Sequence, residues 1–155
     1  MPESTQSLRA LLQRTLHEEI PLSRVIGIRV AEVTPDSVTL AAPLDANINH
    51  KCTVFGGSLY SVAVLTGWGL IYTRLQALAL DAHIVIHDSS IKYNRPVSAD
   101  FTACCRIDTD KAFARFIEAF HRRGRARITL KVTIPDARGE PAVIFLGRYV
   151  IHTRS

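Results

Sequence analysis

The chain has 155 residues, 47% hydrophobic and 21% charged, which excludes a disordered segment and is enough for one domain with a sizeable core. A net charge of +5 points to an anionic partner, but no zinc-finger or RNA-recognition pattern accompanies the basic run Arg122 to Arg127, which argues against nucleic acid. Cys52, Cys104 and Cys105 are odd in number without zinc spacing, and Met-Pro-Glu-Ser-Thr-Gln at the start has no signal-peptide character, so reduced thiols in a cytoplasmic protein are expected.

Leu8, Leu11, Leu12, Leu16 and Ile20 recur at helical spacing and predict an amphipathic helix over about 5–19, stopped near Pro21. The β-branched runs 24–33 and 37–42 flank Thr34-Pro35-Asp36 and predict a hairpin. A loop rich in Asn, Asp and His follows over 43–54. Behind it, about 57–78 reads as one long buried helix. From Cys52 to Thr73 there is no charged residue, which by length suits a membrane span. Gly56, Gly57, Ser58, Ser61, Thr66, Gly67 and Gly69 dilute its hydrophobicity, and the strands around it need a helix to cover one face, so a core helix is expected.

Strands are then expected at about 83–97 and 100–108, a short helix around Ala112 to Phe120, and a final hairpin from 125–134 and 142–152. The order predicts an α+β fold, one antiparallel sheet wrapped on a central helix, as a single domain spanning 1–155.

The polar stretch from Asn49 to Ser58 carries the strongest functional signal. It ends in Gly56-Gly57 at the start of the long helix. Glycine lets a ligand approach the backbone, and a helix N-terminus offers unpaired N–H groups and partial positive charge. An oxyanion or polarised carbonyl fits there.

With that element order, Asn-His-Lys-Cys-Thr-Val-Phe-Gly-Gly-Ser-Leu-Tyr and then Gly67-Trp68-Gly69-Leu70 resemble hotdog-fold thioesterases. The nearest resemblance is to the thioesterase domain found at the C-terminus of some bacterial acetyltransferase fusions and also alone. Ser90-Ile91-Lys92-Tyr93-Asn94-Arg95-Pro96-Val97 and Arg123-Gly124-Arg125-Ala126-Arg127-Ile128 are similar to hotdog strand motifs. The resemblance implies a dimer or tetramer with sites between subunits, an acyl thioester of coenzyme A or a carrier protein as substrate, and no cofactor beyond the coenzyme A of that substrate. Many such enzymes carry His-Gly-Gly and a carboxylate on the central helix. Here Phe55 stands in the His position and Val64 in that of the carboxylate, and the helix has no Asp or Glu.

On that reading Gly56 and Gly57 hold the oxyanion, unless they only allow close packing. Asn49 either orients reactants or shapes its loop. Asp88 is the candidate replacement base if it points into a cleft, and an exposed strand residue otherwise. Thr66 positions water or bonds a helix carbonyl. Phe55, Ser58, Tyr60 and His50 stand beside the glycines as substrate contacts, with Tyr60 otherwise a packing residue whose hydroxyl is paired, and His50 either an alternative base or an exposed loop histidine. Arg95 and Arg125 either meet coenzyme A phosphates or form a solvated face. His83, His87 and His152 lack metal-ligand spacing. Rival readings are a hotdog acyl hydratase or dehydratase, and a non-catalytic acyl-CoA-binding protein.

Overall fold

A computed structural model describes residues 4–154. Helix α1, Thr5–Glu19, starts where the Ser4 hydroxyl accepts from the Ser7 N–H at 3.1 Å, and it buries Leu8, Leu12 and Leu16. The strand expected from residue 24 begins later. Pro21 has helical backbone angles and opens a one-turn helix, α2, Leu22–Ile26, which Gly27 closes at φ 80°. The buried Ser23 hydroxyl donates to the Leu16 carbonyl at 2.9 Å and fixes that turn under α1. Val25 and Ile26 read as extended, yet the proline and the left-handed glycine on either side make them a turn of helix.

Strands β1, Arg29–Thr34, and β2, Ser37–Ala42, form the expected hairpin about Pro35 and Asp36. After a loop comes helix α3, Gly56–Ala77, then β3, His83–Tyr93, β4, Phe101–Arg106, helix α4, Asp110–Arg123, β5, Arg125–Pro135, and β6, Pro141–His152. The strands make one antiparallel sheet in the order β1-β2-β4-β5-β6-β3, and α3 packs across one face of it. β3 stops at Tyr93, short of the expected 97. It lies at an edge of the sheet and, among the described residues, pairs with β6 alone, with a bulge between Ile86 and Asp88.

Val62, Ala63, Leu70 and Ile71 of α3 are sealed from solvent, and Val62, Leu70 and Ile71 each stabilise by about 1.5–3 kcal/mol. The helix lies very close to the sheet. A Cβ on Gly67 would collide with the Tyr149 ring, whose hydroxyl donates to the Val64 carbonyl at 2.6 Å. Trp68 donates from Nε1 to the Ile84 carbonyl at 3.2 Å and stacks on Tyr72, whose hydroxyl pairs with Thr15. Among the described residues no helix is long and apolar enough to cross a membrane.

Among the described residues the β4–β5 register pairs are Cys104–Thr133 and Cys105–Val132. Helix α4, capped by Thr109 and closed by Gly124, packs beside β5 with Phe113, Phe116 and Phe120 buried. It is longer than the apolar spacing alone indicates, because its last turn is the basic His121-Arg122-Arg123.

Candidate active site

The approach to α3 is built by two asparagines. Asn47 is buried and donates from Nδ2 to the Ile26 and Pro43 carbonyls at 2.9 and 2.7 Å. Its own carbonyl accepts from the Phe55 N–H at 2.7 Å, which places the last loop residue. Asn49 accepts at Oδ1 from the Lys51 and Thr53 N–H groups at 2.8 and 3.1 Å, and donates from Nδ2 to the Thr53 hydroxyl at 2.9 Å. Every polar atom of the Asn49 side chain is thus engaged in shaping the loop. Asn47 was not singled out from the sequence. An Asn two residues before another, in a polar loop, gives no sign that it is buried.

Phe55 caps α3 without a side-chain hydrogen bond. The Ser58 and Leu59 N–H groups both reach the Phe55 carbonyl, at 3.0 and 3.1 Å, whereas among the described residues the Gly56 and Gly57 N–H groups have no acceptor. Two free donors therefore stand at the positive end of a 22-residue helix. Neither glycine has positive φ, so close approach, not backbone conformation, is what a side chain there would disturb. A Cβ on Gly57 would strike the Phe55 ring, and one on Gly56 would lie 3.5 Å from the Tyr93 ring. Phe55 itself is 57% exposed, an apolar lip beside the two donors.

Edge strand β3 supplies the other wall. The Tyr93 hydroxyl donates to the Gly56 carbonyl at 2.9 Å. The Tyr60 and Ser89 hydroxyls lie 2.6 Å apart, with the Tyr60 ring edge-on to Phe145 at 5.6 Å. Burial first, and then neighbouring Tyr60, raise the Tyr93 pKa, so Tyr93 remains a neutral donor through the physiological range. Ser89 and Tyr93 were not among the expected site residues, because the bulge at His87 shifts the alternation that would have shown which β3 residues face the helix.

The remaining expected residues divide clearly. Ser58, half-buried, lies in the first turn of α3, and His50 is exposed in the loop. Arg95, just past β3, pairs with Asp136 at 3.7 Å. Three residues do not meet the glycines within the chain. Asp88 alternates with Ser89 and so faces away from α3, paired with Arg148 at 3.3 Å and 55% exposed. The fully buried Thr66 donates to the Val62 carbonyl at 2.6 Å and is tied to its own helix. Arg125 is in register with His152, and His152 with His83 at the far end of β3 from Tyr93. That offset is roughly 33 Å at the rise of a strand.

A family model described as "Putative thioesterase (yiiD_Cterm)" matches residues 9–153. A solved protein of unknown function from Chlorobaculum tepidum TLS is similar, with a TM-score of 0.94 at 30% identity, covering 99% of each chain. A structure named as the putative thioesterase from Shewanella oneidensis matches with a TM-score of 0.81 at 30% identity, covering 96% of this chain and 98% of that one. The PaaI protein of the Escherichia coli phenylacetic acid degradation operon shares the fold, with a TM-score of 0.69 at 14% identity over 98% and 97% of the two chains.

Proposed function

Because this chain belongs to the hotdog thioesterase family whose model spans residues 9–153, we propose that it hydrolyses an acyl thioester of coenzyme A or of a carrier protein at the start of α3. The observation that carries this reading is the pair of unpaired N–H donors on Gly56 and Gly57. When water attacks the thioester carbon, charge develops on the carbonyl oxygen, and preorganised donors stabilise it at that moment. The C–S bond then breaks, the thiol leaves with the proton given up by water, and the carboxylic acid remains. The Tyr60–Ser89 hydroxyl pair holds the attacking water, and Phe55 receives the apolar acyl group. Asn49 acts through the loop it shapes. The free edge of β3 supports completion of the site by a second copy, in a dimer or a dimer of dimers.

A second reading, an acyl-CoA binder without hydrolysis, is favoured by one observation: the only carboxylate expected at the site, Asp88, is turned away and paired with Arg148. A panel of acyl-CoA chain lengths followed by release of free thiol separates the two. Turnover that saturates with one class of acyl chain supports the hydrolase. Tight binding without thiol release across the whole panel overturns it and leaves the binder.

A further inference from the structure

Arg123, Arg125 and Arg127 line a single concavity of about 530 Å³, together with His87 and Val150. Local structure brings them together. Arg125 and Arg127 are exposed on one face of β5, on either side of the buried Ala126. Arg123 ends α4, and Gly124 at φ 68° turns the chain so that this last turn overhangs the start of β5. Arg127 is in register with Val150, and Val150 with Val85. His87 is the residue the β3 bulge leaves without a register partner on β6.

No carboxylate among the described residues offsets the charge of this cluster. Arg95, Arg106, Arg148 and Arg154 each have a carboxylate partner. Among the described residues Arg123, Arg125 and Arg127 have none, and no Asp or Glu lines their concavity. Three unneutralised guanidinium groups repel one another, and an anion between them relieves that repulsion. Guanidinium forks bind phosphate oxygens in bidentate pairs, and several forks on one small concavity match adjoining phosphates better than a single carboxylate. The volume lies within the roughly 300–1,000 Å³ of small-molecule sites. Within one chain it lies apart from the candidate active site, at the other end of β5, with Arg125 and Arg127 on the strand face opposite the buried one.

We infer that this concavity is a second ligand site, which takes a phosphorylated small molecule through a pyrophosphate group held by Arg123, Arg125 and Arg127. The group has two possible sources, a free nucleoside diphosphate or the nucleotide end of coenzyme A. The inference stands whether or not the chain hydrolyses thioesters.

Calorimetric titration of the intact protein at low salt, with inorganic pyrophosphate, ADP and coenzyme A as probes, tests it. Pyrophosphate and ADP should each saturate one site per chain, and Arg123→Gln/Arg127→Gln should weaken both by at least about tenfold, the loss expected for charge-assisted hydrogen bonds. Pyrophosphate displacing coenzyme A identifies the coenzyme as the source, and coenzyme A that is not displaced identifies the free nucleotide. Either result supports the recognised chemistry. Failure of pyrophosphate and ADP to bind below about 1 mM overturns the inference. So does undiminished binding in the double variant, or equal weakening by Arg115→Gln, an exposed arginine outside the concavity that reports general charge alone.

Discussion

The hydroxyl of Tyr93 donates to the carbonyl of Gly56 at 2.9 Å, tying the last residue of the edge strand to the first residue of the central helix. That bond places the free end of the sheet against the free N–H donors. Tyr93→Phe removes it and keeps the ring. Stability should fall by about 1 kcal/mol, or about 2–4 °C in Tm for a chain of this size. An unchanged melting curve would show that the bond does not anchor the strand.

The glycine pair should tolerate substitution unequally. At Gly56 a methyl has ordinary contact with the Tyr93 ring, whereas at Gly57 it must displace Phe55. Because neither position needs positive φ, Gly57→Val should still fold. Its branched side chain would cover the path of a carbonyl to the donors. Turnover should drop at least about 100-fold, the usual loss for an oxyanion donor, with the melt changed by a few degrees. Near-normal turnover in the folded variant removes the helix N-terminus from the mechanism.

Asp88 separates the sequence reading from the structural one. Elimination selects it, because α3 carries no acid and Asp88 is a carboxylate on the neighbouring strand. The bulge and the Arg148 pair put it on the other sheet face. Asp88→Asn should therefore keep turnover within a few fold and cost less than about 1 kcal/mol, as for exposed ion pairs. Tyr60→Phe should lower turnover by roughly tenfold or more if its pair with Ser89 holds the water. A 100-fold loss in Asp88→Asn would restore it as base, and loss in His50→Ala alone would move that role to the loop histidine.

These cases show what the sequence makes legible. α1, the hairpin about Pro35, α3 and the final strands follow from apolar spacing and turn residues, because each buries one repeating face. The α3 donors follow from Gly56-Gly57 and the helix behind them. The turn at Leu22–Ile26 is hidden because five residues set no period, and its start depends on Ser23 meeting Leu16. Ser89 and Tyr93 are hidden by one extra residue in β3, which reverses the apparent faces. Arg123, Arg125 and Arg127 are visible as a basic run, but their shared concavity depends on how α4 returns over β5.

Alkaline pH should expose the cost of two buried acids. Burial, and then Cys104 and Asp108, push the Cys105 thiol from 9.0 up to about 12, and burial raises the Tyr149 hydroxyl strongly. Both are neutral in the folded chain while the unfolded chain loses their protons sooner. Their contribution is whole below about pH 9 and shrinks as pH rises toward the folded values, by up to about 1.4 kcal/mol per pH unit for each group. Urea melts should show stability declining above pH 9, with a shallower decline in Cys105→Val. A decline identical in that variant would locate the effect elsewhere.

The edge strand leads to the last expectation. β3 is 11 residues long, pairs among the described residues only with β6, and carries Val85 and Tyr93 at 46% and 50% exposure. Long bare edges recruit other strands unless they are charged, bulged away or covered. The β3 bulge interrupts one place, and the straight runs on either side still offer N–H and C=O groups to a second chain. Two copies paired edge to edge would run antiparallel and bring the His83 end of one β3 beside the Tyr93 end of the other. Each glycine pair then gains a wall from its neighbour. Sedimentation should show a dimer or larger at micromolar concentration, and hydrogen exchange should protect the β3 amides that do not face β6. Exchange protection without dimerisation contradicts edge pairing. A folded monomer that still releases thiol from acyl-CoA would show the site to be complete within one chain.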